Sequence, residues 1–309
     1  VNIKAGPDGG VYIADWYDSR LSNTDPRDTW NKTTGRIYRL RGKEGVKGIA
    51  PFDLSQYDAK KLLELLKSEN KWFRQHARRE LADRKDQSVL PDLISMLQSK
   101  NGQDALEALW AIHVCGGFND DIAGTAIHHQ DPYVREWGVR LSGDKKQVTP
   151  KIGQQLIQLA ATEKNAEVRS QLACTAKRLP AKDAFPIIEN LLKFHPEDAK
   201  DPDIPMLIWW ALESKAETDR RGVVSMFQDQ SIWRSKIVQQ VLLSRIMKRY
   251  IIAGGEDNFS VAAELIKMAP TTQLKKGMVS AVHEGLGGQD LVSLSPQLLN
   301  VIRPFESDL

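Results

Sequence analysis

Two cysteines and six histidines are the residues of this sequence best suited to hold a soft metal or carry nucleophilic chemistry. Their spacing speaks against both. Cys115 and Cys174 stand about sixty residues apart with no Cys-x-x-Cys-His run around either, so covalent haem attachment lacks its two thiols. Both read as buried thiols. His128 and His129 are adjacent, and neighbouring helix positions point about a hundred degrees apart, so the two cannot readily share one metal. His113 and Cys115, two apart, fall on opposite faces of a helix. Gly-x-Ser-x-Gly, His-Glu-x-x-His and a phosphate-cradling glycine loop are all missing, which removes the parts needed for acyl transfer, zinc hydrolysis and nucleotide binding. Carboxylates are plentiful, but no spacing sets two of them at general acid and base separation. The expectation is a chain with no catalytic residue, no metal and no cofactor of its own.

The residues that do recur are arginines and tryptophans. Phe73-Arg74, Val134-Arg135, Val168-Arg169 and Trp233-Arg234 repeat one signature, an apolar residue followed by Arg, and Arg135 and Arg169 are 34 residues apart. The other two intervals are about double. Trp72, Trp110, Trp137, Trp209, Trp210 and Trp233 fall on or beside the same segments. Packing between repeats explains most of them, while Trp72, Trp137, Trp209, Trp210 and Trp233 are the candidates for an interaction surface, since Trp is enriched at binding hot spots. Lys71, Arg74, Arg78 and Arg79 share one helix, and Arg245, Lys248 and Arg249 another. Against a polyanion partner stands a net charge of only +3, from 43 basic and 40 acidic side chains. Nucleic acid is therefore not expected.

The elements that position these residues change character near residue 45. Val1–Lys4, Val11–Trp16 and Arg36–Leu40 are short β-favouring runs, and Gly6-Pro7-Asp8-Gly9-Gly10 is a turn in which Pro presets φ and Gly accepts positive φ. A sheet this small must dock on the following helices or have lost neighbouring strands. From about residue 56 the apolar spacing becomes three and four, and helical pairs follow one another: seven in all, the sixth with a second helix over 232–252. A period in the low thirties marks a stacked helical-pair array. Asp131-Pro132 and Ser295-Pro296 supply N-cap and first-turn Pro. Mean hydropathy is −0.41, and no apolar run approaches the eighteen residues of a spanning helix. The fold class expected is mainly α: an α-solenoid of helical-pair repeats over 46–309, after a small antiparallel remnant over 1–45, with a further repeat beginning at Ser295–Arg303.

Asp131-Pro132-Tyr133-Val134-Arg135 and Asn165-Ala166-Glu167-Val168-Arg169 resemble the opening of the second helix in HEAT repeats. By that resemblance Arg74, Arg135, Arg169 and Arg234 form a structural ladder, hydrogen bonding between neighbouring turns. Two repeats, at about 88–115 and 185–215, depart from the pattern, with Asp104-Ala105-Leu106 and Ile204-Pro205-Met206 where the motif should fall. Some HEAT-like solenoids are alkylation-repair DNA glycosylases, which makes a DNA-binding enzyme the rival reading for the basic clusters.

Gly6 through Tyr17, Asp25-Pro26-Arg27-Asp28 and Gly35-Arg36-Ile37-Tyr38-Arg39-Leu40 resemble the closing propeller blade of bacterial putative membrane-bound dehydrogenases. In that family HEAT repeats follow a sugar-dehydrogenase-like propeller, often with a cytochrome c domain after them. The resemblance implies an extracytoplasmic parent protein, haem c or quinone bound elsewhere in it, and a scaffold role for this region. Its partners would be other domains of the same polypeptide or another protein.

Overall fold

The computed structural model describes residues 2–15, 26–27, 31, 33–42, 49–288 and 290–308. Trp16, Tyr17, Asp25 and Asp28, and the expected boundary at 45/46, lie outside the described residues. The chain is mainly α, an α-solenoid of HEAT-like helical pairs with a small antiparallel sheet, and it divides into two compact units, Val1–Phe118 and Asn119–Leu309.

In the first unit β1 (Asn2–Ala5), β2 (Val11–Asp15) and β3 (Arg36–Leu40) form one antiparallel sheet in that order. Ile3 pairs with Ile13 and Ile13 with Tyr38; Ala5 pairs with Val11 and Val11 with Leu40. The period of two therefore collects these apolar residues on one face. That face is open: Ile3 is 62% and Leu40 57% exposed. The β1–β2 turn closes as its residues dictate, with Gly9 at φ 74 and the Gly10 amide donating to Asp8. Two helical pairs follow, α1 (Ala59–Leu65) with α2 (Lys71–Arg84), and α3 (Leu90–Ser99) with α4 (Gly102–Val114). One side chain ties sheet to helix. Asn70 caps α2 by accepting from the Trp72 amide at 2.9 Å, and its Nδ2 donates to the carbonyls of Gly6 and Pro7 at 3.0 and 3.2 Å.

The second unit holds five pairs. They are α5 (Asp120–Ile127) with α6 (Pro132–Ser142), α7 (Pro150–Thr162) with α8 (Ala166–Arg178), α9 (Ala181–Phe194) with α10 (Ile204–Ala216), α11 (Arg220–Gln228) with α12 (Leu243–Ala253), and α13 (Glu256–Met268) with α14 (Thr272–Leu286). A short α15 (Pro296–Ile302) packs on α13. Polar caps fix the starts: Asp131 accepts from the Tyr133 amide at 2.8 Å, and Asn165 from the Glu167 amide at 2.9 Å. First helices pack on first helices and second on second. One buried pattern repeats through three second helices: Val134, Gly138, Val139 and Leu141 in α6; Val168, Leu172, Ala173 and Thr175 in α8; Ile204, Ile208, Trp209 and Ala211 in α10. Side chains bridge successive repeats to backbone carbonyls about one period away, as with Thr175 to Val139, Asn190 to Ile157 and Tyr250 to Ala216, 36, 33 and 34 residues apart.

The helix expected over 232–252 is broken. Ile232–Arg234 is a single 3-10 turn, Ser235 is extended, and a π turn at Val238–Leu242 leads into α12. Burial of Trp233 accounts for the break. Its ring packs 5.0 Å from that of Phe227 and its Nε1 donates to the Phe227 carbonyl at 2.8 Å, while Gln239 caps the Trp233 carbonyl at 2.7 Å. A continuous helix would carry the indole out of that pocket.

Candidate functional site

Three of the four signature arginines occupy one geometry. Arg135 Nη1 donates to the carbonyls of His129 and Gln130 at 2.9 and 3.0 Å, satisfying the end of α5, and its Nε and Nη2 grip Glu163 at 2.7 and 2.8 Å. Arg169 does the same one repeat on: Nη1 donates to the Glu163 and Lys164 carbonyls at 3.1 and 2.8 Å, and Nε reaches Asp198 at 2.7 Å. In the first unit Arg74 Nη1 meets the Ser68 and Glu69 carbonyls at 2.7 and 2.8 Å, and its Nε meets Glu107 at 3.2 Å. Arg78 and Gln103 also donate to Glu107. Each of these arginines closes the turn six and five residues behind it and takes a carboxylate 28 to 33 residues ahead.

Electrostatics follow the geometry. Burial alone would raise the Glu163 pKa, but hydrogen bonds from Arg135 and from the Asn165 amide outweigh it, leaving the carboxyl below its ordinary value. The hydrogen bond to Glu163 raises Arg135 and that to Asp198 raises Arg169, both against burial. Arg234 does not join this series. It is exposed, at the end of the 3-10 turn, because the break that buries Trp233 turns the following side chain outward. In the departing repeat at 185–215, Pro205 occupies the arginine's position in the shared burial pattern and can donate nothing.

The tryptophans separate into core and surface. Trp209 is 6% and Trp233 2% exposed, so both are packing residues. Trp72 is half-buried, stacked on His76 at 3.7 Å and edge-on to Phe52 and Phe73. Trp137 lies under Arg140, 4.9 Å from its centroid. Trp210 is 44% exposed, with Lys177 Nζ 5.8 Å from its centroid. In the burial register shared by α6, α8 and α10, Arg140, Cys174 and Trp210 occupy the same outward position of three consecutive second helices. The equivalence is anchored by bonds between the helices, from Arg178 Nη2 to the Arg140 carbonyl at 2.9 Å and from Lys215 Nζ to the Lys177 carbonyl at 2.9 Å.

The remaining candidates resolve into structural roles. His129 Nδ1 accepts from the Asp131 amide at 3.0 Å, and His128 Nδ1 lies 2.9 Å from the Gly124 carbonyl. Cys115 is buried, and Cys174, the other thiol, is partly exposed; neither forms a disulfide. Burial raises both thiols. Among the described residues no three His, Cys, Asp or Glu side chains converge as metal ligands, and no helix is long and apolar enough to cross a membrane. Five residues of the two basic clusters engage carboxylates: Arg74 and Arg78 on Glu107, Arg79 on Asp83 at 3.6 Å, Lys248 on Glu284, and Arg249 on Glu217.

What residue types and spacing did not reveal is the set of carboxylates, Glu107, Glu163 and Asp198. The signal was present as an acidic residue about one period after each signature arginine. It was hidden because Glu163 ends a first helix, Asp198 lies in a 3-10 turn and Glu107 sits within a second helix.

No family model matches this chain, and no curated protein matches it. Among solved structures, a chain from the complex of CpcE and CpcF of phycocyanin lyase from Nostoc sp. PCC7120 aligns over 85% of this chain and 100% of its own length, at 16% identity and a TM-score of 0.27. The membership expected from residues 1–45, in the bacterial putative membrane-bound dehydrogenases, is thereby corrected: neither a family model nor a curated protein of that family matches this chain. The physical reason is that an Asp-Gly turn before a Tyr-rich strand specifies a hairpin, and a hairpin recurs in many unrelated sheets.

Proposed function

We propose that this chain is a non-catalytic module that docks another polypeptide, or another part of its own, on the outward sides of its second helices. The observation that carries this reading is the division of labour within each second helix. The buried side and the signature arginine hold repeat to repeat, while Arg140, Cys174 and Trp210 recur at one outward position of α6, α8 and α10 and are used by neither. Trp210, 44% exposed, presents the side-chain type most enriched among binding hot spots. The proposal assigns the chain no cofactor. An extracytoplasmic location was carried by the dehydrogenase resemblance alone and forms no part of it.

The test is isolation on the immobilised full chain from an extract of the source organism, followed by reconstitution from purified components. A protein held at one-to-one stoichiometry, migrating with the chain as a single species, is the expected result. Migration of the chain alone at micromolar concentration, with every retained protein added back, defeats the reading.

A further inference from the structure

The outward row on α6, α8 and α10 is biased in charge. Arg140 and Lys177 have no carboxylate among the described residues within ion-pair distance; each instead lies over an indole, Trp137 and Trp210. Lys215 adds a third cation, its Nζ held on the Lys177 carbonyl and its pKa lowered first by burial and then by the neighbouring Lys177 charge. Arg178 is matched by Asp144 at 2.7 Å. Opposing them on α6 stands Glu136, whose pKa burial and then Glu167 raise while the Arg140 charge lowers it, so this carboxylate is the countercharge that Arg140 feels. At the far edge Glu213 and Glu217 face Arg249. At Cys174, in the middle of the row, the charges of Arg178, Lys177 and Arg140 act against that of Glu136 alone, so the stretch from Arg140 to Trp210 is aromatic and biased positive. Two helix spacings of 8–10 Å set its span at roughly 20 Å, the length of about six extended residues.

We propose that this row docks an acidic segment of a partner protein, with carboxylates meeting Arg140 and Lys177 and an apolar side chain packing on the exposed part of the Trp210 indole. The proposal rests on the docking reading above and names the partner's chemistry. Cations already stacked on aromatic rings are held in place and partly stripped of water, so a carboxylate gains more from them than from a free surface lysine. Charge complementarity of this kind sets specificity and encounter rate, and it weakens as salt screens it.

The experiment uses the full chain and a fluorescein-labelled octapeptide alternating Glu and Leu, read by anisotropy at low and high salt. A Lys/Leu octapeptide and a single-stranded oligonucleotide serve as the other arms. Expected are binding of the Glu/Leu probe, weakening in high salt, and an affinity loss of tenfold or more in the Arg140→Glu/Lys177→Glu double variant and in Trp210→Ala. Cys174 gives an independent readout: its reaction with a maleimide should slow several-fold when the probe is bound, with Cys115 unreactive at 1% exposure. Far-ultraviolet circular dichroism and urea midpoints confirm that the variants are folded, and all three altered side chains are exposed. Unchanged affinity in folded double variants, equal binding of the Lys/Leu peptide, or preferential binding of the oligonucleotide overturns the proposal, the last by giving the row to nucleic acid. If the probe fails while a stoichiometric partner is still isolated, the acidic segment is wrong and docking stands; if both fail, docking falls too.

Discussion

Arg135 and Arg169 meet on a single residue: Glu163 takes Arg135 with its carboxylate at 2.7 and 2.8 Å and takes Arg169 with its backbone carbonyl at 3.1 Å. The ladder is therefore continuous from the end of α5 to the 3-10 turn at Pro196–Lys200, because each rung's acceptor is also the end of the turn that the next arginine closes. Arg135→Ala leaves Glu163 buried without its partner, and the expected loss is about 3 kcal/mol in urea unfolding. Arg135→Lys recovers little of it, since an ammonium cannot reproduce the fork. Arg234→Ala, which shares the same signature in sequence but is exposed, should stay within about 0.5 kcal/mol. Equal losses in the two alanine variants would show that the ladder does not hold the repeats.

Acid stability should report the same rung. Glu163 ionises below its ordinary value of 4.5 in the folded chain, so its charge favours folding above that pH, and the favour is lost as pH falls through the lowered value. Between pH 5 and 3 the unfolding midpoint of the parent should fall more steeply than that of Glu163→Gln, which starts less stable but has no proton to take up. Parallel curves would mean that Glu163 is not linked to folding.

Gly138 marks a close approach of α6 to the end of α5. A methyl placed there would lie 2.8 Å from Ala126 Cβ and 3.0 Å from both the Ala126 carbonyl carbon and the Ile127 amide nitrogen. Two backbone atoms cannot yield as a side chain would. Overpacking costs about 1–3 kcal/mol, and exchanging Gly for Ala in a helix returns about 1 kcal/mol. Gly138→Ala is thus expected to destabilise by up to about 2 kcal/mol, whereas Gly277→Ala, with nothing within 4 Å, should stabilise. A thermal melt of each variant checks the signs.

Helix pairing was legible in the sequence because burial alternates at spacings of three and four and caps are side chains; Asp131 and Ser295 could be read directly. Arg234 shows where such reading ends. Its signature matches that of Arg135, but a fully packed Trp233 and a capping Gln239 bend the chain before it, and neither contact is local enough to be seen in a spacing. Trp209 and Trp210 are adjacent and identical in type, and only the helix's rotation in its stack decides that the first is core and the second surface. That rotation predicts a contrast: Trp209→Ala should cost about 3–5 kcal/mol, and Trp210→Ala roughly 1 kcal/mol.

Tyr250 links α12 to α10 through a hydroxyl that donates to the Ala216 carbonyl at 2.9 Å, and burial pushes its ionisation well above the usual 10.0. Stability from the neutral hydroxyl is complete below pH 10.0 and is lost as the unfolded chain, but not the folded one, gives up the proton at higher pH. At neutral pH Tyr250→Phe forgoes one buried hydrogen bond, about 1 kcal/mol. Each pH unit above 10.0 then costs the parent about 1.4 kcal/mol that the phenylalanine variant does not feel. The two stabilities should therefore cross near pH 11, and unfolding midpoints measured from pH 8 to 11.5 would find that crossing; a constant gap across the range would mean that the hydroxyl is open to water in solution.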